Sequence, residues 1–377
     1  MGLLSKLQYL DLAFNHFTGT ILSTLSNLTS LYKTGLSYNQ LFGSVPSSFF
    51  NLPRLQEIYL AKNMLSGPIP SISYNMPSIQ IINLNDNELS GRLPRTMFDH
   101  LPNLHNNNNQ LDGGLPSSLF KCKQLQYLSL AFNKLTRGVP KEIRNLTVIT
   151  YLYLEYNNFE GRVPLEIGNL TMAKSLYLPE NHFEGEIPSE VHNLQNLEVL
   201  DMGMNSIDGA IPFDIFNITT IRIIDFTTNK LLGHLPSNIG LFLLNLQKIF
   251  LLGNELSGTI PSSISNASQL NYLELAHNSF SGFFPKKLGN LRLLQWLNLG
   301  YNKLTVECTA VSIFSDLSNC KHLRVVALSG NPLNSILPNS VGNLSSFLEQ
   351  IWLSTCNING NIPISIGNLS NPISLFL

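Results

Sequence analysis

Side chains suited to binding rather than to reacting are the chemically notable ones in this chain, and they are sorted by position. Eleven of the twelve tyrosines stand at Tyr9, Tyr32, Tyr38, Tyr59, Tyr127, Tyr151, Tyr153, Tyr156, Tyr177, Tyr272 and Tyr301, at variable positions among regularly spaced leucines. Trp296 and Trp352 share those positions, whereas most phenylalanines do not. Tyr and Trp offer a large contact area with few rotamers to freeze and a polar tip, which suits a binding surface. Strand propensity alone also enriches aromatics in such places. The densest group is Tyr127, Phe132, Tyr151, Tyr153, Tyr156 and Tyr177, edged by Glu155, Lys174 and Glu180. A second, more acidic stretch sets Glu198, Asp201, Asp225 and Glu274 against Arg222 and Lys248, among the aromatics Phe250, Tyr272, Trp296 and Tyr301. Acids alone usually mark a solvated face; here they are expected to orient a basic peptide.

Reactive constellations are missing from the sequence. The eight histidines are scattered, with no H-x-x-x-H pair and no Cys/His cluster spaced to hold a metal. There is no phosphate-cradling G-x-G-x-x-G, no G-x-S-x-G and no kinase signature. The reading is a non-enzyme that needs neither metal nor cofactor.

The elements that must position the tyrosines follow from a 24-residue beat. The pattern L-x-x-L-x-L-x-x-N-x-L-x-G-x-I-P runs through Leu125, Leu128, Leu130 and Asn133, and again through Ile149, Leu152, Leu154 and Asn157. Its asparagine recurs from Asn15 to Asn331, and Cys356 takes that place in a fifteenth turn. Such a period means stacked repeats. Leucines alternating with polar or aromatic residues define one short strand per turn, leucines inward. No turn buries its leucines alone, but stacked neighbours close a continuous core. The asparagine amide both donates and accepts, so it can bridge backbone groups of successive turns that would otherwise be buried unpaired. The expected fold is an α/β solenoid: a leucine-rich repeat, right-handed superhelix with a concave parallel β-sheet and about 15 repeats. Seven N-x-[ST] sequons, at Asn27, Asn145, Asn169, Asn217, Asn266, Asn343 and Asn368, all fall twelve residues after their ladder residue. They would mark the convex side as a glycosylated back, leaving the sheet face bare, although Asn-Leu is also simple repeat consensus there.

Composition narrows the partners. Charged residues make up 12% and net charge is −1, which argues against nucleic acid. No apolar run approaches the roughly 18 residues needed to cross a bilayer, so no direct membrane insertion is expected. The repeat makes residues 1–377 one array, with Leu7 already in register and no terminal caps, transmembrane segment or kinase; it reads as a piece of a longer protein. Two irregularities stand out. Between Asn87 and Asn109 the beat shrinks to 22 and Leu104–Asn109 lacks two strand leucines, which predicts a broken strand and a weak joint near 100–112. Residues 303–325 form an irregular insertion containing Cys308. Cys122, Cys320 and Cys356 fit the frame as small buried residues, and free thiols are favoured over a Cys308–Cys320 bridge.

The Gly-x-apolar-Pro unit after each asparagine, as in Gly161-Arg162-Val163-Pro164 and Gly185-Glu186-Ile187-Pro188, followed by Ser-x-x-x-Asn-Leu, resembles the plant-specific class of leucine-rich repeats. The likeness covers practically the whole chain and is greatest to extracellular domains of plant leucine-rich-repeat receptor-like kinases, especially those sensing microbial peptides. It implies a ligand-binding ectodomain at the extracellular face of the plasma membrane, a peptide or protein ligand, and a co-receptor. Plant polygalacturonase-inhibiting proteins look similar and imply an enzyme inhibitor instead. A truncated, inactive receptor relic is a third reading.

Overall fold

The computed structural model describes residues 3–71, 76–98, 100–306, 313–371 and 373–377. Contacts divide the chain into two compact units, Met1–Phe183 and Glu184–Leu377. The expected joint near 100–112 therefore lies inside the first unit, not at a boundary.

Three-residue strands recur in both units because only three positions per turn alternate strictly. In the first unit the parallel order runs from Tyr9–Asp11 through Lys33–Gly35, Glu57–Tyr59, Ile81–Asn83, Asn103–His105, Tyr127–Ser129 and Tyr151–Tyr153 to Ser175–Tyr177. In the second it runs from Val199–Asp201 through Ile223–Asp225, Lys248–Phe250, Tyr272–Glu274, Trp296–Asn298, Val325–Ala327 and Gln350–Trp352 to Ser374–Phe376. Central residues such as Leu128, Leu152, Leu176, Ile224, Ile249 and Leu273 are almost wholly buried, whereas their strand neighbours are mostly half-exposed. This alternation is the two-residue period of a sheet with one face on the core. Register is in phase: Tyr127, Leu128 and Ser129 face Tyr151, Leu152 and Tyr153, which face Ser175, Leu176 and Tyr177.

The asparagine ladder holds the turn that follows. Asn157 Nδ2 donates to Leu130 O of the preceding repeat at 2.9 Å and to Leu154 O at 3.1 Å, while its Oδ1 accepts from Leu135 N at 3.0 Å. Cys356 keeps half of this role, its thiol donating to Leu328 O at 3.3 Å. A second set of parallel strands follows the ladder, among them Met64–Pro68, Glu88–Arg92, Gln110–Gly113, Lys134–Arg137 and Asn158–Arg162 in the first unit. Proline then opens a single 3-10 turn, for example Pro140 before Lys141–Asn145; with φ fixed and no N–H to satisfy, it suits a helix start.

The strand expected to be broken is whole. Asn103–His105 pairs in register with Ile81–Asn83 on one side and Tyr127–Ser129 on the other. Leu101 and Leu104 fill the usual core places, and only the second strand leucine is replaced, by a fully buried Asn106. The two missing residues lie on the opposite side of the turn: Pro94 to Leu101 spans two fewer positions than Pro140 to Ile149. Residues 303–325 hold the strand Lys303–Thr305 and the α-helix Ile313–Leu317. Cys308 and its bridge lie outside the described residues, and Cys122, Cys320 and Cys356 are buried thiols outside any disulfide. Burial among apolar groups pushes the Cys320 thiol up to about 12.

Candidate functional site

In the first unit the predicted tyrosines form one continuous patch. Strand alternation sends Tyr151 and Tyr153 to the same face, their rings 6.3 Å apart. In-register pairing then brings Tyr127 to 5.8 Å from Tyr151 and 5.6 Å from Tyr153, and Tyr177 to 5.0 Å from Tyr153. These centroid separations are those of favourable aromatic pairs. Partial burial raises the Tyr127 and Tyr153 phenols above their ordinary range, so both stay protonated as hydrogen-bond donors. Lys174, immediately before the strand Ser175–Tyr177, is exposed at the edge.

Phe132, Tyr156 and Tyr301 are not strand residues, contrary to the alternation argument. Each occupies the turn just before the ladder asparagine, with φ of 53°, 53° and 51°. A side chain there costs roughly 1–2 kcal/mol of backbone strain, offset by bonds between turns such as Phe132 N to Glu155 O at 3.0 Å. The benefit is a second aromatic row: Phe132 and Tyr156 stack at 4.2 Å and are nearly half exposed.

Glu155 lies among these rings. It sits where neighbouring repeats place Ala131 and Pro179, and its Oε2 is buried with no partner. Burial raises its carboxyl above the usual range. Its charge beneath the rings favours a cationic group laid across the patch, whose alkyl part would cover ring faces. His105, which the sequence argument passed over, stacks on Tyr127 at 4.1 Å; burial lowers its pKa, so it joins the patch as a neutral ring. Near the start of this unit lies another cluster that composition concealed: Phe14 stacks on Tyr38 at 4.3 Å, Lys62 lies over Tyr38 at 5.0 Å, and Lys33 pairs with Glu57 at 2.9 Å.

In the second unit Phe250, Tyr272 and Trp296 form a row with centroids 6.2 and 6.4 Å apart, and Lys248 lies 5.0 Å over the Tyr272 ring. Tyr301 stacks on His277 at 4.3 Å. The acids here differ from the solvated, ligand-orienting row expected. Glu274 is 6% exposed and accepts from Trp296 Nε1 at 2.9 Å, Asn298 Nδ2 at 3.0 Å and Ala276 N at 3.2 Å. Its charge is spent holding Trp296 in place, and burial still raises its pKa. Asp201 and Asp225 cap the backbone N–H two residues on, at Gly203 and Thr227. That is an Asx turn closing the strand, a structural duty sequence alternation does not reveal. Arg222 pairs with Glu198 at 3.6 Å.

All seven sequon asparagines end a 3-10 turn, away from the strands; six are exposed and Asn145 is half-buried. Among the described residues no His, Cys, Asp or Glu group is arranged to hold a metal, and no helix is long and apolar enough to cross a membrane.

Leucine-rich-repeat family profiles match residues 244–304, and also 6–28, 124–146, 149–170, 322–344 and 347–369. No curated protein sequence matches. Solved structures do. The ectodomain of the Arabidopsis receptor kinase HAESA, in complex with an extended IDA peptide hormone, is 30% identical with a TM-score of 0.89, covering 98% of this chain and 61% of that one. The plant peptide hormone receptor RGFR1, with RGF2, is 27% identical with a TM-score of 0.84 over 99% of this chain and 67% of that one. The ectodomain of GASSHO1/SCHENGEN3 from Arabidopsis thaliana, with CASPARIAN STRIP INTEGRITY FACTOR 2, is 31% identical with a TM-score of 0.82 over 100% and 47%. The chain thus spans about half to two thirds of the length of these solved chains.

Proposed function

We propose that this chain, a leucine-rich repeat array built like the ectodomains of plant receptor kinases, serves as a peptide-recognition module, the ligand-binding part of an extracellular plant receptor in immune or developmental signalling. The observation that carries this reading is the joined ring surface of Tyr127, Tyr151, Tyr153 and Tyr177 on one sheet face of the first unit. Half-exposed aromatic area of this kind is what interface hot spots are made of. The solved neighbours hold peptide hormones, and one HAESA structure also holds the co-receptor SERK1. A peptide lying along the strands, with signalling left to a kinase and co-receptor outside this chain, follows by analogy. Glu155 gives the ligand a sign: an Arg or Lys side chain over the patch. In this reading the chain catalyses nothing, and the seven sequons carry glycans on the side away from the strands. Peptide mapping after enzymatic glycan release would show Asp at those positions; unmodified Asn throughout, from a plant-secreted sample, contradicts that part.

The test is selection from a displayed random-peptide library on the wild-type chain, followed by affinity measurement on Tyr153→Ala/Tyr177→Ala. Selected peptides should be basic and should lose about tenfold to a hundredfold on the double variant. Peptides that bind both proteins equally would refute the proposed face.

A further inference from the structure

Away from the strands that carry the tyrosines, the second row of strands in the first unit edges a groove of about 710 Å³. Arg92, Arg95 and Arg137 line it with prolines and the apolar Ile69, Leu93 and Leu115, and among the described residues no acidic side chain lines it. Three departures from the repeat meet there. Turns along the unit place a left-handed glycine at Gly19, Gly43, Gly67, Gly91, Gly113 and Gly161, where φ lies between 72° and 94°. The corresponding residue in the intervening turn is Arg137, held at φ 71°. An arginine there carries strain that glycine would avoid, and such strain concentrates at functional positions. The next position, filled by Pro68, Arg92 and Arg162 elsewhere, is emptied to Gly114 and Gly138. A Cβ on Gly113 would stand 3.1 Å from Arg92 Cγ and Nε, and one on Gly114 would stand 3.1 Å from Arg137 Cδ. The Gly113-Gly114 dipeptide therefore lets two arginine stems from opposite neighbouring turns close in on one spot. Asp112 is the strand partner of Arg92, and Glu160 holds the equivalent place in the turn after Arg137, but neither lines the groove. Among the described residues no carboxylate pairs with any of the three guanidiniums.

We infer that this groove is a binding site for an oxyanion group, a sulfate, phosphate or carboxylate carried by a ligand distinct from the one on the tyrosine face. Planar guanidiniums grip such groups in two-pronged fashion. The arginines are the only charged side chains among the lining residues, with Ser71 and Ser117 as neutral donors beside them, and the apolar Ile69, Leu93 and Leu115 accommodate the carrier.

Arg137→Gly restores the repeat's own residue, so this variant is expected to fold with its backbone strain relieved, which its circular dichroism and melting temperature check. Sodium sulfate, phosphate and acetate are titrated against wild-type and Arg137→Gly at constant ionic strength set with chloride, following the arginine Nε–Hε signals by NMR. At least one oxyanion should saturate the Arg92 and Arg137 signals in the wild type, and bind about tenfold more weakly or worse to Arg137→Gly and to Arg92→Ala. The preferred ion identifies the carrier chemistry. Responses no larger than with chloride, or equal in wild type and Arg137→Gly, overturn the site. Tyr153→Ala should leave the titration unchanged, so this result stands or falls apart from the proposed peptide face.

Discussion

Replacing Asn133 with alanine isolates what the ladder contributes, because the fate of each released group can be followed. Asn133 Nδ2 donates to Asn106 O at 2.8 Å, Leu130 O at 3.1 Å and Ala131 O at 3.0 Å, and its Oδ1 accepts from Leu111 N at 3.0 Å. Two of the three carbonyls keep other donors: Asn157 Nδ2 reaches Leu130 O, and Asn108 N reaches Ala131 O. Asn106 O does not, since Asn109 Nδ2 is diverted to the Asn106 side chain at 2.8 Å. Asn133→Ala thus orphans two groups on fully buried residues, Asn106 O and Leu111 N. At about 1–3 kcal/mol each, the expected loss is about 2–6 kcal/mol. Asn133→Cys should cost roughly half as much, because Cys356 shows that a thiol can still donate across the turn. Denaturant unfolding followed by circular dichroism gives the energies, and hydrogen exchange at the Leu111 amide gives the location. A loss under about 1 kcal/mol with unchanged Leu111 protection would refute the reasoning.

Three further outcomes are expected. Asn106→Leu should stabilise by about 1–3 kcal/mol, because the buried Asn106 Nδ2 has no partner and the leucine restores the core frame; a destabilised variant in thermal melts would show that the amide is needed. Leu152→Ala, fully inward, should cost about 2–5 kcal/mol of folding, whereas Tyr156→Ala, 45% exposed, should cost under about 1 kcal/mol; equal losses in denaturant midpoints would mean the two faces are misassigned. Glu155 has a raised folded pKa, so its contribution is favourable below the ordinary carboxylate range and is lost as pH rises through the folded value. Glu155→Gln should therefore raise the melting temperature at pH 7 and lose that advantage on acidification; a benefit independent of pH would contradict it.

The solenoid was legible because one constraint repeats: a leucine at Leu128 or Leu152 and an amide at Asn133 or Asn157 have a single workable placement, and spacing alone reveals it. The Tyr127–Tyr177 patch followed, since strand period and register fix which residues share a face. Three things were not legible. The short beat between Asn87 and Asn109 gives a length but not where the residues are lost, and Asn106 at a leucine place suggested a broken strand when the loss was across the turn. Left-handed backbone at Phe132, Tyr156 and Tyr301 has no residue signature, because non-glycine residues fill most of that column. Polar alternation at Asp201, Asp225 and Glu274 looks the same whether a carboxylate faces solvent or caps a strand.

The claim that ligand lies on the tyrosine face is tested most directly by photocrosslinking. A benzophenone amino acid is placed at Tyr153 or Tyr177, and at Leu165 on the 3-10 turn beside a sequon, and each protein is irradiated with a peptide selected on the wild type. Crosslinks at 153 and 177 but not at 165 are predicted. Crosslinking at 165 with none at 153 and 177 would contradict the account.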